Sequence, residues 1–74
     1  MAYGTDWHTR VKGILKAELK RRNIGYRELA ERLLALGVRT TAFDVSNKIS
    51  QGSFSAVFLV QCLKAIEAKE LRLD

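Results

Sequence analysis

Residues 27–52, RELAERLLALGVRTTAFDVSNKISQG, decide the fold: they read as a helix, a turn and a second short helix. In the first of these helices Leu29, Ala30, Leu33 and Leu36 recur at helical spacing and are expected to face a core. Gly37 stands where a helix wants a left-handed residue after its last turn. The turn runs from Val38 to Thr41, and Thr41 with Asp44 resembles a capping box with a shortened acid. The following helix is expected from about Thr41 to Ser50, stopped by Gly52. Ala42, Val45 and Ile49 fall on one stripe of it, and Thr41, Asp44, Asn47, Lys48 and Gln51 lie opposite.

Upstream, a helix is expected from about Asp6 to Arg22, with Thr5 or Asp6 as its cap and residues 1–5 as a loose start. Trp7, Val11, Ile14, Leu15 and Leu19 form its inner face, and Lys12, Lys16 and Lys20 a basic row on another. Asn23-Ile24-Gly25 breaks it; Gly25 then caps a helix over Tyr26–Leu36, with Glu28 reaching back. Downstream, SFSAVFLVQCLKAIEA predicts a fourth helix from near Ser53 to about Ala68, apolar almost all round. A chain of 74 residues covers only one side of such a helix, leaving Val57, Phe58 and Val60 as a surplus face. The tail, Lys69–Asp74, alternates, with Leu71 and Leu73 on one side, as an extended flap over an apolar groove.

Two arrangements would cover the surplus face. A two-fold homodimer would use Val57, Phe58, Val60, Leu71 and Leu73, with Phe43 and Phe54 as further candidates. Alternatively Leu71 and Leu73, or Trp7, fold over it within one chain. The expected architecture is all-α: a single domain over residues 1–74, with a core of about 6–68 arranged as a compact bundle of four (or five) helices. The absence of proline and the abundance of Ala, Leu, Glu, Lys and Arg agree with it.

The formal charge is +5, and its placement is uneven. Residues 1–52 carry ten basic and five acidic side chains, residues 53–74 three of each. Arg10, Lys12, Lys16, Lys20, Arg21 and Arg22 stand against Glu18 alone, a concentration that attracts polyanions. The bland counterpart is a solvated helix face that aids solubility. One cysteine, Cys62, excludes an internal disulfide and fits a reducing cytoplasm; one histidine, His8, leaves too few ligands for structural zinc. No leader-like or membrane-spanning apolar run is seen, so a cytoplasmic protein without membrane contact is expected. No glycine-rich phosphate loop, carboxylate pair or nucleophile–base pair occurs, so neither enzyme activity, nor a cofactor, nor a small-molecule substrate is expected.

The polar side of the third helix carries the groups that read base edges. Asn47 and Gln51 can pair bidentately with adenine, Lys48 can reach guanine or a phosphate, Asp44 can accept from cytosine N4, and Thr41 can serve either partner. Tyr26 and Arg27, at the start of the second helix, can hold phosphate there; Arg39, Lys16 and Lys20 are the other phosphate candidates. The structural counterparts are a water-facing helix side and a Tyr26 that only packs on its neighbours. RNA binding would want an exposed aromatic platform, which the sequence lacks.

The run "LKAELKRRNIGYRELAERL…VSNKISQGSFSAVFLVQCLKAIE" resembles the phage-repressor and Cro-like, or XRE-like, helix-turn-helix family. Leu29-Ala30 matches the family's "LA" pair, Gly52 its terminal glycine, and Leu59, Leu63 and Ile66 its fourth-helix core, so the likeness covers about residues 11–68. The "NKISQG" run with "FS" behind it is also similar to a family of small bacterial domains. Three positions depart from the repressor pattern. Ser50-Gln51 precede the glycine in place of an acid, Leu19 falls near an arginine position, and Tyr26 stands where a glutamine often opens the second helix. The turn is also longer than the family's. The resemblance implies a lambda-repressor-like fold that binds double-stranded DNA as a small dimeric bacterial or phage transcriptional regulator. The alternative is a protein-interaction module that uses the apolar fourth helix without DNA.

Overall fold

The computed structural model describes residues 6–73. The expectations for residues 1–5, including Thr5 as a cap, and for Asp74 lie outside that range. Four helices follow one another: α1 (Trp7–Arg21), α2 (Tyr26–Ala35), α3 (Ala42–Gln51) and α4 (Ala56–Ala65). Among the described residues there is no strand and no fifth helix. α2 lies centrally, packed on both α3 and α4, and α1 packs on α3. Leu15, Leu29, Leu33, Val45, Ile49 and Cys62 are fully enclosed where these faces meet.

Local chemistry sets the helix starts. Asp6 caps α1: its carboxylate accepts from the backbone N–H groups of His8 (3.0 Å) and Thr9, and from the Thr9 hydroxyl (2.9 Å). Those bonds, the Thr9 hydroxyl first, hold the Asp6 carboxyl below its ordinary pKa. The Thr41 hydroxyl accepts from the Asp44 N–H (3.1 Å) and the Ser55 hydroxyl from the Phe58 N–H (3.0 Å). Gly25 caps α2 without a side-chain bond, and Glu28 does not reach back. Its carboxylate instead pairs with Arg32 one turn on, at 2.9 Å, the i, i+4 spacing that brings two side chains together on one helix face.

Three helices end alike. After α1, α2 and α4 the residue past the cap takes a positive φ: Asn23 (57°), Gly37 (89°) and Glu67 (60°). In each case the next N–H returns to a carbonyl of the last turn: Ile24 to Leu19, Val38 to Leu33, Ala68 to Leu63. The following apolar side chain then tucks against the core, fully at Ile24 and partly at Val38 and Ala68. Glu67 is the costly member, since a left-handed residue with a Cβ loses about 1 kcal/mol. Glu67→Gly should therefore raise the melting temperature by about 4–8 °C. A thermal unfolding curve showing no gain would contradict the assigned cap.

Several side-chain placements differ from those expected. Trp7 is exposed, and Arg10 stacks on its ring at 5.5 Å. Leu36 is exposed because α2 ends at Ala35, so it follows the cap geometry rather than the helical stripe. α4 is shorter at both ends than Ser53–Ala68: Ser55 supplies the cap, and the left-handed Glu67 stops it. Phe58 and Phe54, expected at a subunit interface, belong to the core. Phe58 is 5% exposed and meets the Phe54 ring edge-on at 5.6 Å. Cys62 is enclosed on the same side, and burial pushes its thiol up to about 12, which leaves it protonated and unreactive at neutral pH.

Candidate nucleic-acid interface

α3 is held at both ends and along one stripe. Val45 and Ile49 are wholly buried and Ala42 half-buried, so the opposite side faces outward. The Lys12 ammonium donates to the Ser50 carbonyl (3.2 Å) near the C-terminus of α3. Gly52 ends the helix at φ 68° against the His8 backbone of α1.

All five residues expected on the reading side, Thr41, Asp44, Asn47, Lys48 and Gln51, are exposed. They are not equivalent. The Thr41 hydroxyl is occupied as the helix cap. The Lys48 ammonium sits 5.1 Å from the centre of the Phe58 ring, at the flank of α3. Asp44, Asn47 and Gln51 carry side chains without a hydrogen bond to any described residue. Asn47 and Gln51 stand one turn apart on the line most directly opposite the buried stripe.

The phosphate candidates divide. Lys16, Lys20 and Tyr26 line one groove of about 320 Å³ together with Asn23 and Gly25, at the N-terminus of α2. The first-turn N–H groups of α2 have no side-chain cap, and Arg27 is exposed in the same turn. Backbone donors, helix dipole and two ammonium groups thus share one edge, a combination suited to an anionic oxygen. Tyr26 is half-buried against the core as well. Arg39 is exposed in the α2–α3 connection, outside that groove.

The basic field of α1 is narrower than its count. The Glu18 side chain is 3% exposed and accepts from Arg22 at 2.6 Å and from Arg21. Arg22 foremost, then Arg21 and the Arg72 backbone N–H, hold the Glu18 carboxyl below its ordinary pKa despite burial. Arg10 donates to the Leu73 carbonyl (3.2 Å), and Lys12 is engaged at α3. Of the six cations, Lys16 and Lys20 have no such partner among the described residues. Sequence reasoning counted Glu18 only as a charge. The available signal was its position: it shares the stripe of Val11, Ile14, Leu15 and Leu19, and two arginines follow at three and four residues.

The expected surplus face of α4 is present without Phe58. Val57 and Val60 are 67% and 63% exposed, one turn apart. The tail does not cover them. Leu73 borders a groove on α1 with Trp7, Arg10, Val11 and Ile14, and Leu71 is half-buried. The extended flap thus lies along α1, fastened there by the bond from Arg10 to the Leu73 carbonyl. No helix among the described residues is long and apolar enough to cross a membrane.

No curated protein and no solved structure matches the chain. A family model does, over residues 7–71, which takes in all four helices and the start of the tail. The chain therefore belongs to the family described as "Domain of unknown function (DUF6471)".

Proposed function

We propose that this chain binds double-stranded DNA sequence-specifically as a small dimeric transcriptional regulator of lambda-repressor-like helix-turn-helix type. In this reading α3 enters the major groove, with Asp44, Asn47 and Gln51 toward base edges and Thr41 and Lys48 at its margins. Lys16, Lys20, Tyr26 and Arg27 grip one phosphate stretch at the start of α2, and Arg39 meets the backbone beside α3. Val57 and Val60, with Leu71 and Leu73, pair two copies across a two-fold axis. The observation that carries the reading is the amide row on α3: it is exposed and unbonded on a helix whose other side is anchored. Buried carboxamides would have argued for packing; these are presented outward.

The test is selection from a randomised duplex library at about physiological salt. Enrichment of a short inverted repeat is expected, lost on replacing Asn47 and Gln51 together with Ala while the melting temperature stays unchanged. Salt-sensitive association without enrichment would reduce the chain to a general polyanion binder. A second reading, a protein-interaction module built on α4, is favoured by the exposed Val57 and Val60 alone. It predicts self-association or partner capture that is indifferent to the Asn47 and Gln51 replacements.

A further inference from the structure

Phe43 lies in the first turn of α3 and is 74% exposed, the highest among the exposed large apolar side chains of the described residues. An aromatic ring in water at the surface of an otherwise anchored helix is costly, on the order of 2 kcal/mol relative to burial. Local packing gives it no role: Phe43 is not among the apolar residues packed against the core, and the two other phenylalanine rings, Phe54 and Phe58, pair with each other. Its register is informative. Phe43, Asn47 and Gln51 stand at i, i+4 and i+8, one straight row along the outer face of α3. The row thus begins with an apolar ring and continues with two carboxamides. In the major groove adenine offers a paired donor and acceptor to a carboxamide, whereas thymine alone of the four bases adds a C5-methyl group, the one apolar feature on that surface.

We infer that Phe43 is a specificity residue that packs on a thymine C5-methyl, one turn along the groove from the adenine contacts of Asn47 and Gln51. The inference rests on the DNA-reading role of α3 and adds the base class at its N-terminal end. The occupant is a duplex rather than a protein because the same row continues into unbonded amides, and the groove at the start of α2 adds Lys16 and Lys20 for a polyanion. A protein-binding aromatic patch would be expected to have apolar neighbours along its row, and Phe43 has Asn47.

The experiment uses the full chain and the duplex it selects from a random library. Each thymine of that duplex is replaced in turn by deoxyuridine, which removes only the methyl group. At one position per half-site the wild-type protein should lose about 4-fold in affinity, the value of one buried methyl group. The Phe43→Ala protein, whose melting temperature should match the wild type, should bind more weakly and be insensitive to deoxyuridine at that same position. If the protein selects a duplex but no thymine position couples to Phe43, the assignment is overturned and the reading of α3 survives. If Phe43→Ala dissociates a dimer in sedimentation without any deoxyuridine effect, the ring is a subunit contact and the assignment is likewise overturned. If no duplex is selected, the DNA-binding role and the assignment fall together.

Discussion

Gly52→Ala should lower the melting temperature by about 15 °C, the largest loss expected from any single methyl group added to this chain. Two costs add at that position. The backbone is left-handed at φ 68°, which charges a Cβ-bearing residue about 1–2 kcal/mol. A Cβ there would also lie 2.3 Å from the His8 carbonyl oxygen and 2.9 Å from its carbon. Those atoms belong to the first turn of α1 and cannot rotate away, so the helices must separate, at about 1–3 kcal/mol for overpacking. The sum, about 3 kcal/mol, is a large part of the ~4–11 kcal/mol expected for a domain of this length. Gly37 supplies the control. It too has a positive φ, 89°, but nothing lies within 4 Å of its Cβ position. Gly37→Ala should therefore cost only the backbone part, about 1–2 kcal/mol. Equal losses at both sites, measured by thermal or urea unfolding, would refute the close approach of α3 to α1.

Glu18→Gln should cost about 2 kcal/mol at neutral pH, or roughly 10 °C in melting temperature. Gln keeps the shape but loses the charge that Arg22 and Arg21 share, and its amide presents donors to donors. The arginines are partly exposed, at 31% and 44%, and can turn to water, which keeps the loss below that of a fully buried broken pair. The pH dependence separates this account from a packing effect. The folded carboxyl titrates below its unfolded value of 4.5, so the unfolded state binds the extra proton first. The stabilisation is complete above that value and fades as pH falls below it through the lower folded value. The wild type should lose stability over that acid range, and the two proteins should converge at its bottom. Asp6, also lowered, acts in the same direction, so the variant's acid limb is flattened and not abolished. Parallel curves for the two proteins would show that the loss does not come from the carboxylate charge. Because Glu18 also faces the Arg72 backbone, the variant should loosen the tail, read as faster hydrogen exchange at residues 70–73.

The Gly52 effect arises at a contact between helices distant in sequence, and the Glu18 effect from burial of a pair that lies within one helix. Helix existence and four of the caps were legible because their chemistry is local. Asp6, Thr41, Gly37 and Gly52 each act on N–H or carbonyl groups within four residues, and each stands where its type is wanted. The outward side of α3 was legible for a related reason: Val45 and Ile49 leave one side for Asn47 and Gln51. The end of α4 was not, since Glu67 carries no signal for a left-handed residue and is held there by the carbonyls it closes upon. Nor was the role of Phe58. In a helix apolar on every side, periodicity assigns no inward face, and the core elements packed on α4 chose Phe58 over Val57 and Val60.

Sequence alone determined that this chain is helical, where α1, α2 and α3 begin, and which side of α3 carries carboxamides, because these follow from spacing and from groups a few residues apart. Tertiary structure decided which cations stay available and which apolar residues stay uncovered. It turned Arg21 and Arg22 onto Glu18, drew Lys12 to Ser50, and laid the tail on α1 instead of on Val57 and Val60. The last two depend on distances between segments tens of residues apart, and the first, though its partners are three and four residues apart, on the burial of Glu18; all are set only when the faces dock and burial selects among partners that are equivalent along the chain.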